Sequence, residues 1–292
     1  MDKQFNQTER DRTKFIGIHL AGSNSLKTAV IILEQQVRTP SLRIKKLYEK
    51  IGSLGSSYSD DRIAKIIASE SNIASIFVDT PLSYPPCVSC QRPVCPGVYA
   101  CEDTTVAYML ALAQVNPFFK KKKRQRPVNP QCHRLWDIFS ASNEHGSIKE
   151  PSFSSNLAPL VIRGQTLQKR LRALNIDCTL KETSVLESLK KLSHFLEAEP
   201  DVIEKYRSFE VGKSVREELC LAFCRKLNIK SSDNGSLIES EQFSEIAHSL
   251  PVFSAFVTAC MAWFFVQKQL SEMPVGYLDT SGWVYTPNAD FF

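Results

Sequence analysis

The stretch Phe15-Ile16-Gly17-Ile18-His19-Leu20-Ala21-Gly22 decides how this chain is read. Apolar residues packed around one glycine, followed by the polar turn Ser23-Asn24-Ser25, describe a buried strand that ends at a tight connection. Lys27 to Leu33 and Leu42 to Tyr48 are two further apolar or alternating runs, parted by Thr39-Pro40-Ser41, so the chain opens on a three-strand meander. Beyond it, Asp60 to Glu70 sets Ile63, Ile66 and Ile67 at helical spacing. Ile73 to Val78 is then a dense apolar run that stops at Asp79, a helix feeding a buried strand.

Pro81 to Pro96 holds five prolines and three cysteines, which predicts a long loop without regular structure. Thr104 to Val115 and Gln165 to Leu174 read as helices, and Cys178 to Lys181 as a short strand running into Glu182. Ser184 and Glu187 fit a capping box, and Val185, Leu189, Leu192 and Leu196 continue it as one apolar stripe. Val215 to Leu227 and Phe253 to Gln269 are helical, and Tyr277-Leu278 is expected to face Trp283 to Tyr285 in a terminal hairpin. The order predicts an α/β fold with a mixed sheet flanked by helices. It is read as a single domain, 1–292, with a cysteine-rich and basic loop insertion at 84–133.

With 292 residues, 43% hydrophobic and 23% charged, the chain has the composition of a globular domain. A net charge of +5 gives mild attraction to anions. Met1 to Lys14 is polar and charged, unlike a secretory signal, so the expected location is cytoplasmic. Ser249 to Val266 is the longest uncharged stretch, but Pro251, Ser254 and Thr258 interrupt it, so a buried core helix is expected and no membrane partner.

Cys87, Cys90, Cys95 and Cys101 place four thiols within fifteen residues of a proline-rich loop. Thiolates two residues apart can grip one tetrahedral ion, so Zn²⁺ is the first expectation. An Fe-S cluster is the alternative, with Cys132 and His133 as substitute ligands. Cys178, Cys220, Cys224 and Cys260 read as core packing. Lys120, Lys121, Lys122, Lys123, Arg124 and Arg126 supply six positive charges in seven residues, flanked by Phe118 and Phe119. Such a run neutralises phosphates, and its aromatics can stack on unpaired bases, so nucleic acid is the expected partner.

Taken in order, Gly17-Ile18-His19-Leu20-Ala21-Gly22, Val78-Asp79-Thr80-Pro81-Leu82-Ser83, Lys181-Glu182-Thr183-Ser184-Val185-Leu186-Glu187-Ser188 and the segment Pro251 to Val266 resemble the ribonuclease H-like nucleases of domain of unknown function 429. The resemblance runs roughly from Phe15 to Pro287 and rests on those four segments. It implies a ribonuclease H-like fold and metal-dependent phosphodiester hydrolysis, in which carboxylates gather Mg²⁺ or Mn²⁺. The four acidic positions fall on His19, Asp79, Glu182 and Ser254. That family usually reads Asp where His19 stands, and Ser254 offers only a hydroxyl. Asp79 and Glu182 therefore remain as candidate catalytic carboxylates, with His19 as a third ligand and Glu102 or Asp103 as substitutes.

Two functions follow as expectations. One is a nucleic-acid-binding protein with metal-dependent phosphodiester cleavage. The other is a catalytically inactive nucleic-acid- or protein-binding module with a structural zinc loop.

Overall fold

The computed structural model describes residues 12–22, 25–36, 41–54, 58–115, 128–143, 152–154, 157–230, 240–274, 277 and 282–291. The described chain gathers into two compact units. The first comprises residues 1–80, 166–272 and 285–292, and the second 81–165 and 273–284.

The meander forms as its apolar and alternating runs predict: β1 (Arg12–His19), β2 (Ala29–Gln36) and β3 (Leu42–Tyr48) pair antiparallel. Helix α1 (Ser59–Ala68) then leads into β4 (Ile73–Val78), which lies parallel to β1 and to β5 (Leu180–Thr183). Two short edge strands, β6 (Ile229–Lys230) and β7 (Val284–Tyr285), complete a mixed sheet of order β6-β3-β2-β1-β4-β5-β7. The expected α/β class is therefore the observed one. β7 joins this sheet, and Tyr277 meets Trp283 by ring contact, with centroids 5.0 Å apart.

Between β4 and β5 the chain forms α2 (Pro86–Ser89), α3 (Thr104–Val115), α4 (Leu135–Asn143) and α5 (Ala158–Ala173). α2 is one helical turn inside the stretch expected to be irregular. Pro86 starts it because a proline at the first helical position loses no hydrogen bond and already has helical φ. After β5 come α6 (Val185–Lys191), α7 (Ser193–Leu196), α8 (Pro200–Ile203), α9 (Gly212–Lys226), α10 (Ser240–His248) and α11 (Leu250–Val266). Ser184 caps α6 by accepting the Glu187 N–H at 3.5 Å, the serine half of the expected capping box.

α11 is apolar all round and lies across β1, β2 and β4, with Phe253, Phe256, Ala259 and Cys260 fully buried. A helix of that composition belongs inside a core. Among the described residues no helix is long and apolar enough to cross a membrane. Ser75 on β4 donates to Ala262 O of α11 at 2.6 Å, so alternation turns Ser75, Phe77 and Asp79 toward α11. Gly17 sits where α11 crosses β1, which places Phe15, Gly17 and His19 on that same side. Ile16, Ile18, Ile76 and Val78 are buried on the opposite side.

Two charged residues inside these strands interrupt the apolar pattern. Lys14 pairs in register with Glu34, and both are almost fully buried. Lys14 Nζ lies 2.9 Å from Glu70, whose carboxylate also takes Lys45 at 2.7 Å and Lys46 at 2.9 Å. Glu34 accepts from Arg43 Nε at 2.7 Å and from Arg12 at 3.1 Å. An ion-pair network thus joins β1, β2, β3 and the turn before β4, and in it every buried charge has a partner, the condition for burying charge at all.

The second unit has its own small core of Met109, Leu135, Ile138 and Tyr277, with Phe139 and Trp283 packed against it. On α4 the buried Asp137 carboxylate accepts the Arg134 N–H at 2.8 Å and the Ser152 hydroxyl at 2.6 Å. Arg134 also reaches Ser83 Oγ at 3.3 Å, tying the Pro-rich segment to α4.

Candidate functional site

The carboxyl ends of parallel strands are where an open α/β sheet gathers reactive groups, because the loops that leave them diverge and open a crevice. β1 ends at His19, and the Asp79 N–H bonds to Ile18 O at 3.1 Å, so His19 and Asp79 lie side by side at that edge. His19 Nδ1 is buried against Asp79 Oδ2 at 3.5 Å, an ion-pair distance without the alignment of a hydrogen bond. The other carboxylate oxygen of Asp79 accepts the Val185 N–H, the first residue of α6, at 3.3 Å. Both side chains keep partial exposure, 22% for His19 and 14% for Asp79.

Glu182 does not join them. In the parallel ladders Ile18, Val78 and Glu182 are in register, so their side chains share one face of the sheet. His19 and Asp79 are each one residue further and point to the other face, toward α11. Ser254 is buried in α11, with its carbonyl accepting the Thr258 hydroxyl at 2.7 Å.

These placements overturn the expected Mg²⁺ or Mn²⁺ centre. Among the described residues no three His, Cys, Asp or Glu side chains come together as metal ligands. The reason is the two-residue repeat of a strand, which sends Glu182 away from Asp79. The substitute acids are engaged elsewhere: Glu102 pairs with Arg92 at 3.5 Å, and Asp103 caps α3 by accepting the Thr105 N–H at 2.9 Å.

The expected zinc or Fe-S site at Cys87, Cys90, Cys95 and Cys101 is overturned by the same finding. Cys87 sits half-buried in α2, with its N–H on Pro130 O at 3.1 Å, while Cys90 and Cys95 are exposed along the loop. Burial pushes the Cys87 thiol up, and the neighbouring Cys101, Cys90 and Cys95 add to that push. His133, the substitute ligand, is held in the turn at 129–133, where its Nδ1 takes the Asn129 N–H at 3.0 Å.

Cys220, Cys224 and Cys260 are buried in the core as expected, and burial raises all three thiols. A thiol-specific reagent at neutral pH is therefore expected to modify Cys90 and Cys95 in the folded protein, and these three only after unfolding. Rapid labelling of Cys260 in the native state would contradict its placement in α11.

The basic run Lys120, Lys121, Lys122, Lys123, Arg124 and Arg126 lies outside the described residues. A second cationic group carries no motif in the sequence. Arg207, in the 3-10 turn Glu204–Arg207, donates its Nε–H to the Tyr206 hydroxyl at 2.6 Å. Its guanidinium lies over the Tyr206 ring, 5.1 Å from the centroid. Burial pushes the Tyr206 hydroxyl well above its usual range, and the Asp79 charge adds to that push. Burial works against the Arg207 charge, but Tyr206 and Asp79 hold it in place. Only the Lys-Tyr-Arg triplet at 205–207 hinted at this arrangement, and a triplet does not specify stacking.

Comparison of the chain with models of known protein families, with curated proteins and with solved structures finds no match in any of the three.

Proposed function

We propose that this chain is a ribonuclease H-like module that binds nucleic acid and whose strand ends are not built for metal-dependent hydrolysis. The observation that carries the reading is the His19–Asp79 pair. Where such an enzyme needs converging carboxylates, this chain presents an imidazole, and the neighbouring Asp79 is engaged by His19 and the Val185 N–H. The fold expectation is supported by the element order, a three-strand meander followed by α1, β4, intervening helices, β5 and a long closing helix. The nucleic-acid part is supported by the net charge of +5 and by the run Lys120 to Arg126.

Fluorescence anisotropy with short single-stranded RNA and DNA tests the binding. Affinity is expected to fall as salt rises, and replacing the six basic residues of the run with glutamine is expected to flatten that dependence. Titration calorimetry with Mn²⁺ is expected to give the same trace for the wild type and for Asp79→Ala with Glu182→Ala. Mn²⁺-dependent strand cleavage lost in that double variant would restore the hydrolytic reading. No affinity for either oligonucleotide at low salt would sink the binding reading.

A further inference from the structure

The turn between α8 and α9 displays two groups that the core does not use. Tyr206 is fully buried, with its ring 5.7 Å from that of Phe253. Its carbonyl accepts from Arg216 Nη1 at 2.7 Å, and the same buried guanidinium donates to Ala247 O at 2.6 Å and to His248 O at 3.3 Å. One arginine thus ties the base of the turn to the end of α10.

Arg207 extends from that fixed base. Its Nε is occupied by the Tyr206 hydroxyl and its Cζ lies 5.1 Å from the ring centroid, while Nη1 and Nη2 have no partner among the described residues. Two residues on, Phe209 is wholly exposed, at 103%. Glu204 is taken by Lys190 and Glu217 by Lys213, so among the described residues neither Lys205 nor Arg207 has a carboxylate at ion-pair distance. The Asp79 carboxylate supports the Arg207 charge from beyond ion-pair distance, and Glu210 follows three residues on in the chain.

A guanidinium whose orientation is already set matches two phosphate oxygens with little further loss of side-chain freedom. An exposed phenyl ring next to it offers a face on which an unpaired base stacks, whatever its identity. We infer that the turn 205–209 is a contact surface for single-stranded nucleic acid, in which Arg207 takes a phosphate in bidentate fashion and Phe209 stacks on a base. The inference rests on the nucleic-acid reading above and gives it a location in the described structure. It predicts tolerance of base sequence, since neither contact reads base edges.

Anisotropy with a fluorescent single-stranded RNA, on the full chain, tests it. Phe209→Ala is expected to weaken binding about tenfold with the salt dependence unchanged, because stacking involves no released counterion. Because Phe209 is fully exposed, that variant retains the fold. Arg207→Gln is expected to weaken binding several-fold and to lower the slope of log affinity against log salt by about 0.7, the value for one phosphate contact on a single strand. Arg207→Lys keeps the slope but not the affinity if the fork, rather than charge alone, is used. Wild-type affinity in both Phe209→Ala and Arg207→Gln, with binding lost when the run Lys120 to Arg126 is neutralised, overturns the inference and leaves the broader reading standing. No binding by the wild type overturns both. Binding to vesicles containing phosphatidylserine that Phe209→Ala abolishes, while RNA affinity is unaffected, assigns the turn to lipid and likewise overturns it.

Discussion

Gly17→Ala is expected to lower stability by about 3 kcal/mol, at the upper end for an added methyl group in a packed core. A Cβ at position 17 would fall inside contact distance of Ala255 O and Ala259 N, and 2.7 Å from Ala259 Cα. All three are backbone atoms of α11, which cannot rotate aside as a side chain can, so either the helix or β1 must move. Trimming the neighbouring side chains with Ala255→Gly or Ala259→Gly is expected to give no rescue, because the clash is with main chain. The same displacement would spoil the register of His19 with Asp79, two residues along the same face. Urea denaturation of the variant against the wild type measures the effect. A difference under about 1 kcal/mol would mean that α11 does not cross β1 so closely.

Glu70→Gln carries the second large effect. Three lysines converge on this carboxylate, and Lys14 among them is 2% exposed. Removing the negative charge leaves a buried ammonium without its counter-ion, a loss of about 3 kcal/mol. Replacing both partners with apolar residues, Lys14→Met with Glu70→Leu, is expected to recover most of that loss, since the charge and its desolvation cost go together.

Glu70 also sets a pH dependence. Burial pushes its carboxyl up, but hydrogen bonds from Lys45, Lys46 and Lys14 outweigh that and hold the pKa down at about 2. A carboxyl whose pKa is lower in the folded than in the unfolded state contributes stability that is fully present above the unfolded value. That contribution is lost as pH falls from the ordinary carboxyl range toward about 2. Melting temperatures measured across that window should therefore fall more steeply for the wild type than for Glu70→Gln. Parallel curves would show that the network does not protect this carboxylate.

Much of the fold was legible in residue order because strand and helix periods are local properties. The apolar run Phe15 to Ala21, the apolar run before Asp79 and the uncharged stretch ending at Val266 each marked a buried element. β1 begins earlier than its apolar run, at Arg12, because Lys14 continues the ladder opposite Glu34. No local rule reveals that, since the lysine is tolerated only through Glu70, which is distant in sequence.

What the sequence determined by itself is the meander β1 to β3, the elements α1, β4, α3, β5, α6, α9 and α11, the strand-end placement of His19, Asp79 and Glu182, and the core placement of Cys220, Cys224 and Cys260. Cys178, by contrast, is only half-buried, and α2, α4, α8, α10 and β6 carry no such local mark. What only the tertiary structure decided is which of those groups meet. Asp79 and Glu182 occupy neighbouring strands, yet a register offset of one residue turns them to opposite faces. Arg207 and Phe209 became a candidate surface only once Tyr206 and Arg216 were seen to fix the turn beneath them. Periodicity is written in adjacent residues, whereas register and convergence depend on hydrogen bonds between segments far apart in the chain.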